Sequence, residues 1–212
     1  MKSTIFSGVL ATLLASSAAV LAQDYNQTDP FFLKVTSPTN ADVDGTFLYS
    51  CHAGAAIQTL CLGTKDTPTS LVSAGFFYNY TVYDGQAASS GLLVWNLPYT
   101  SGETGEPATV SLPLNLNYNP GSNVASTLLQ PGYDSVSVAF AGSNLVIPSY
   151  IDDSTFVAGQ RPNITGATTP LTQWYACWVY VGSYYYNALA WVTNGAPHNP
   201  TCQAVSVVRV DA

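Results

Sequence analysis

Ionic charge is scarce in this chain. Of 212 residues, 8% are Asp, Glu, Lys or Arg, and five are cationic; an average soluble domain carries about 25% charged residues. Neutralising phosphate takes clustered Lys and Arg. The cations here lie far apart in sequence, so nucleic acid is excluded as a partner. An anionic lipid surface held by a polybasic patch is excluded on the same ground. Histidine is scarcer still, with only His52 and His198. No G-x-S-x-G elbow accompanies them, so a Ser–His–acid hydrolase has no recognisable nucleophile. The only glutamates, Glu103 and Glu106, share the Gly-rich stretch 101–107. Asp152 and Asp153 are adjacent and would point opposite ways on a strand. Neither pair reads as the opposed acid and base of a glycosidase. Asp42-Val43-Asp44-Gly45 starts like a calcium loop but runs into a strand pattern with no closing glutamate, so a hairpin turn explains it better. No phosphate cradle opens a helix. No catalytic residue, metal site or cofactor is expected.

A helical stripe is also missing, and thirteen prolines spread along the chain would break one. The dominant hydrophobic period is two. Phe31, Leu33 and Val35 alternate with Phe32 and Lys34. Phe76, Tyr78, Tyr80 and Val82 alternate with Phe77, Asn79 and Thr81. Val136, Val138 and Phe140 alternate with Ser135, Ser137 and Ala139. Further strands are predicted at Thr46–Cys51, Ile57–Leu62, Leu92–Leu97, Val110–Leu116, Asn144–Ile147, Gln173–Val181, Tyr184–Val192 and Ala204–Val210. Turn clusters such as Asp84-Gly85 and Asn119-Pro120-Gly121 separate them. The expected fold is all-β: an antiparallel β-sandwich or a closed β-barrel stapled by two disulfides. A weak threefold strand–turn–strand echo raises a β-trefoil as the alternative.

The first residues carry an address. A short basic start at Met1-Lys2, an apolar run from Ile5 to Leu14 and a small-residue exit at Val20-Leu21-Ala22 predict a signal peptide over residues 1–22. The run is too short to span a bilayer well. Residues 23–212 then form one all-β secreted domain, with no membrane span after cleavage. Cleavage removes Lys2 and no acid. It leaves Lys34, Lys65, Arg161 and Arg209 against twelve carboxylates. Four cysteines allow three pairings. The local ones, Cys51–Cys61 and Cys177–Cys202, are favoured. The rival is a metal site on Cys51, His52 and Cys61, which lacks the C-x-x-C spacing of common zinc sites. Asn26, Asn79 and Asn163 each begin an Asn-x-Ser/Thr sequon, predicting glycosylation at exposed positions.

What the chain has in abundance is aromatic residues, including 14 tyrosines. They crowd between Trp174 and Trp191. On a strand, Trp174, Ala176, Trp178 and Tyr180 share one face, and Tyr175, Cys177, Val179 and Val181 the other. One face must be core. Rings left in water can stack on sugars or meet an apolar partner. Trp178, Tyr184, Tyr185 and Tyr186 are the candidate binding residues.

Several stretches together resemble a family of small secreted fungal proteins whose shared domain has no assigned function. They are Phe31-Phe32-Leu33, Leu48 to Ala56, Trp174-Tyr175-Ala176-Cys177, Leu189-Ala190-Trp191-Val192, Asn199-Pro200-Thr201-Cys202 and Val207-Val208-Arg209-Val210. A looser likeness links the chain to fungal cell-wall proteins ending in a similar Cys–strand–Cys pattern. The resemblance implies secretion and an all-β domain, and transfers no catalytic residue. The expected role is non-enzymatic, extracellular or cell-wall-associated, with neutral cell-wall polysaccharide or an extracellular protein as partner. The alternatives are a carbohydrate-binding module using the Trp174–Trp191 hairpin and a small secreted hydrolase.

Overall fold

The computed structural model describes residues 25–132, 134–151, 153–162 and 168–212. The expected signal peptide and the Asn163 sequon lie outside the described residues. In chain order the strands are β1 (Asn26–Gln27), β2 (Phe31–Thr36), β3 (Leu48–Gly54), β4 (Ile57–Leu62), β5 (Phe77–Tyr80), β6 (Val82–Tyr83), β7 (Gln86–Ala87), β8 (Leu92–Thr100) and β9 (Pro107–Asn117). Then follow β10 (Val124–Leu129), β11 (Ala139–Ala141), β12 (Asn144–Ser149), β13 (Thr169–Leu171), β14 (Trp174–Val181), β15 (Tyr184–Val192), β16 (Gln203–Ala204) and β17 (Ser206–Asp211). Among the described residues the short α-helix α1 (Leu71–Ala74) is capped by the Ser70 side chain, which accepts from the Val72 N–H, and a 3-10 turn covers Asp153–Thr155.

Every pairing between these strands is antiparallel. The larger sheet runs β1-β5-β8-β9-β10-β4-β15-β14-β16, with β3 on β4; the smaller runs β11-β12-β17-β2, with β13 on β12. β6 and β7 form a separate ribbon turned by Asp84-Gly85, both at positive φ. The two larger sheets face each other. Phe31, Leu33, Val35 and Val207 of the small sheet pack on Leu60, Leu93, Leu112, Leu129 and Leu189 of the large one. Single bridges at Phe31↔Phe76, Lys34↔Phe47 and Gly91↔Val138 touch sheet to sheet. Among the described residues no continuous ladder joins them, so the sandwich forms, and the closed barrel and the β-trefoil of the sequence reading do not.

The large sheet forks at its centre. β10 pairs with β15 over Val124–Ser126 and then with β4 at Leu129, while β15 meets β4 at Ala188↔Cys61. Two fully buried threonines stitch the fork. Thr127 Oγ1 donates to Leu189 O at 2.7 Å, and Thr59 Oγ1 donates to Thr127 O at 2.6 Å. They supply bonds to carbonyls where the strands diverge, which an apolar side chain could not do.

The strands differ from the sequence reading in physically sensible places. The predicted strand 204–210 breaks at Val205. That buried residue donates to Trp174 O and lets the chain cross from the large sheet to the small. The predicted strand 76–82 breaks at Thr81 between β5 and β6, and of the one through Val136–Phe140 the laddered strand is Ala139–Ala141, with Val138 making an isolated bridge to Gly91. β10 was not anticipated, because Val124-Ala125-Ser126-Thr127-Leu128-Leu129 is covered on both faces and shows no alternation. Both local disulfides are present, Cys51–Cys61 and Cys177–Cys202, with Cα atoms 5.9 and 4.1 Å apart. The metal alternative at Cys51, His52 and Cys61 fails because its two thiols bond each other. Among the described residues no helix is long and apolar enough to cross a membrane.

Candidate functional site: an aromatic hairpin and its recess

β14 and β15 form one hairpin in continuous register, from Trp174↔Trp191 to Val181↔Tyr184. The turn is Gly182-Ser183, with φ of 56° and 72°. Positive φ at both positions matches the right-handed twist of the ribbon. A Cβ on Gly182 would lie 1.8 Å from Ala53 O. Only glycine lets the tip seat this closely on β3.

The hairpin's rings change role along its length. At the base, Trp174 is 1% exposed, packs edge-on to Trp191 (centroids 4.7 Å apart) and donates its indole N–H to Leu145 O at 2.8 Å. This ties the large sheet to β12 of the small one. Further out, the same face leaves the cover of the small sheet. Trp178 is 46%, Tyr185 61% and Tyr180 74% exposed. Trp178 and Tyr185 stack diagonally across the strands, centroids 5.1 Å apart and planes 25° from parallel. The face predicted as one continuous unit is therefore half core and half surface.

Trp178 sits in an unusual backbone setting. β16 pairs with Tyr175 and Ala176, and the ladder then stops. Side chains take over beside Trp178. Its N–H donates to Thr201 Oγ1 at 3.0 Å, and its carbonyl accepts from Asn199 Nδ2 at 2.8 Å. Thr201 Oγ1 in turn donates to Asn199 Oδ1 at 2.8 Å. The Cys177–Cys202 bond anchors this clasp on both sides. Two side chains thus imitate a strand partner and hold the ring's backbone still.

The exposed rings border a recess of about 320 Å³. Its remaining walls are Asn117, Asn119, Ser122, Ser126 and Asn199, with Val124 and Val179. No charged side chain lines it. Among the described residues, the side chains of Asn117, Ser126, Tyr180 and Tyr185 make no hydrogen bond to another residue, so their polar groups face solvent with capacity unused. The space lies at the small end of ordinary ligand pockets.

The four predicted binding residues do not form one surface. Tyr184 and Tyr186 stack on each other, planes 7° apart, on the opposite face of the ribbon from Trp178 and Tyr185. Tyr186 is half-buried and donates its hydroxyl to His52 O at 2.9 Å. Burial, with the Tyr184 and Tyr49 hydroxyls beside it, raises its pKa, which keeps it a proton donor. The His52 ring meets Tyr184 edge-on, centroids 5.4 Å apart. His198 lies in a loop fixed by Asn123, which bonds Asn194 O, Ala196 O and the His198 N–H. Neither imidazole bonds a serine or a carboxylate among the described residues. Glu103 and Glu106 are exposed on the β8–β9 loop. Asp44 Oδ1 accepts the Ser37 N–H, as a turn residue does.

Asn26 is exposed on β1. Asn79 is half-buried on β5, where its Oδ1 accepts from Gln27 Nε2 at 2.7 Å. The recess residues Asn117, Asn119, Ser126 and Asn199 were not singled out from sequence. Asn119 reads only as a turn residue and Asn199 only as part of a resemblance stretch, and only the fold brings these three separate segments together beside the hairpin.

A family model described as a domain of unknown function, DUF7907, matches residues 28–211. No curated protein and no solved structure matches the chain.

Proposed function

The chain belongs to the DUF7907 family, and we propose that it is an extracellular, non-enzymatic protein of a fungal-type cell wall that holds neutral polysaccharide on the Trp178 platform. The observation that carries the reading is the exposed Trp178–Tyr185 stack beside a recess walled by amides and hydroxyls and free of charge. A sugar ring offers an apolar C–H face for stacking and hydroxyls for in-plane hydrogen bonds. This site offers the complement of both. The extracellular address is supported by the leader pattern, by two disulfides, which persist in oxidising surroundings, and by the sequons at Asn26, Asn79 and Asn163.

Millimolar affinity needs about 4 kcal/mol. One stacked ring supplies on the order of 1 kcal/mol, so the rings must act with the amides. The test is calorimetric titration of chitin, β-glucan and mannan hexamers. One of them is expected to bind, to remain unhydrolysed on prolonged incubation, and to bind about tenfold more weakly to Trp178→Ala, the loss corresponding to ~1.4 kcal/mol. Undiminished binding by a folded Trp178→Ala variant contradicts the placement. Hydrolysis of the hexamer contradicts the non-enzymatic role.

A further inference from the structure

We propose that the recess beside Trp178 takes the acetamido group of an N-acetylhexosamine, so that the polysaccharide held there is a chitin-type chain rather than a glucan or a mannan. The inference rests on the neutral-glycan reading above and names the ligand of that same site.

The hydrogen-bonding groups of the recess are unequally occupied. A side-chain amide has an oxygen that accepts and an NH2 that donates. Asn199 Oδ1 already accepts both the N–H and the hydroxyl of Thr201, at 3.0 and 2.8 Å. Its NH2 donates to Trp178 O and, among the described residues, to nothing else. Asn119 Oδ1 accepts the Gly121 N–H at 2.9 Å, and its NH2 makes no bond among the described residues. Ser122 Oγ accepts the Val124 N–H at 3.1 Å, and its own O–H is left to donate. Acceptors are therefore largely engaged within the protein, while N–H and O–H donors remain.

A donor-rich, uncharged recess discriminates among sugars. A hydroxyl both donates and accepts, so a plain hexose brings protons that find few free acceptors here. A carboxylate or phosphate would use the donors, but no cation lines the recess and the chain carries a formal net charge of −7, which repels an anionic polymer. An acetamido carbonyl is a neutral acceptor with two lone pairs and no proton. Its N–H needs one acceptor, which Asn117 Oδ1 supplies. Its methyl needs an apolar wall, which Val124 and Val179 supply, 9% and 6% exposed. The group projects from the edge of a pyranose ring, so the ring's C–H face stays on Trp178 and Tyr185 while the acetamido group enters the recess that those rings border.

The experiment uses the disulfide-bonded protein with chitin and cellulose hexamers, which share linkage and stacking face. They differ only in the acetamido group that replaces one hydroxyl on each sugar. Calorimetric titration should give the chitin hexamer about tenfold tighter binding, the contribution of one ordinary net hydrogen bond. Trp178→Ala should weaken both hexamers alike. Asn119→Asp should lower the chitin-to-cellulose ratio severalfold, because a carboxylate replaces the free NH2, repels the acetamido carbonyl and accepts from glucose hydroxyls. It keeps an oxygen for the Gly121 N–H, and far-UV circular dichroism establishes that both variants fold. Equal affinity of the wild-type protein for the two hexamers, tighter binding of the cellulose hexamer, or a chitin preference unchanged in folded Asn119→Asp would overturn the acetamido assignment. The Trp178 platform stands in each of those cases if Trp178→Ala still weakens binding. No binding of these hexamers, nor of the β-glucan and mannan hexamers above, would overturn both.

Discussion

Replacing Trp174 by alanine is expected to destabilise the protein by about 3–5 kcal/mol, the range for deleting a large buried aromatic. Trp174 is among the largest fully buried side chains, it packs against Trp191, and its indole N–H is the partner of Leu145 O across the two sheets. Truncation leaves a cavity and an unpaired carbonyl together. Total stability for a domain is roughly 5–15 kcal/mol, so the loss is a large fraction of it. At roughly 2–4 °C per kcal/mol for this size, the melting temperature should fall by about 6–20 °C. Trp174→Phe keeps much of the volume and loses the donor, which isolates the hydrogen-bond part at about 1–3 kcal/mol. Equal melting of Trp174→Phe and wild type would show that the Leu145 bond contributes nothing.

Removing the Cys177–Cys202 bridge in the Cys177→Ala/Cys202→Ala variant is expected to cost about 2–5 kcal/mol. The Cys51–Cys61 bridge should matter less. It closes a loop of 10 residues between strands already laddered to each other, against 25 for the other bridge. Chain entropy alone gives the longer loop about 0.8 kcal/mol more. The second consequence is local. Without Cys202, only Asn199 and Thr201 hold the clasp on the Trp178 backbone. Collisional quenching of Trp178 fluorescence should then increase in the bridge-free protein before it unfolds. Denaturation curves for the two bridge-free variants decide the ranking, and a larger loss from Cys51–Cys61 would contradict it.

Much of the sheet was legible because one face of each strand is core and the other is wet. Ile57–Leu62 and Tyr184–Val192 form as read, and both disulfides follow from local spacing. The reading weakens where that asymmetry disappears. β10 is buried on both sides and shows no period. Val205 marks a corner, yet it looks like the middle of one strand. The hairpin exposes the same limit within the site. From sequence, alternation is followed along β14 alone and the rings Trp178, Tyr184, Tyr185 and Tyr186 read as one site, whereas the register puts Trp178 and Tyr185 on one face and Tyr184 and Tyr186 on the other. Alternation also cannot tell that the small sheet covers Trp174 and stops before Trp178. The recess was illegible for a different reason. Asn117, Asn199 and Ser126 are ordinary residues whose meaning lies in long-range packing, and the side-chain clasp at Trp178 exists only because Cys202 brings its loop back to β14.

The four indole N–H groups give the most direct test of the central claim. Trp95 donates to Val72 O and Trp174 to Leu145 O, and Trp191 is buried against Trp174. Trp178 alone among the four is exposed. A ¹H–¹⁵N correlation spectrum, titrated with chitin, β-glucan and mannan hexamers and assigned with Trp178→Phe, should show the Trp178 indole signal moving in a saturable manner with one hexamer while the other three stay in place. A Trp178 signal that remains still with every hexamer, or a shift confined to the buried tryptophans, would contradict the account.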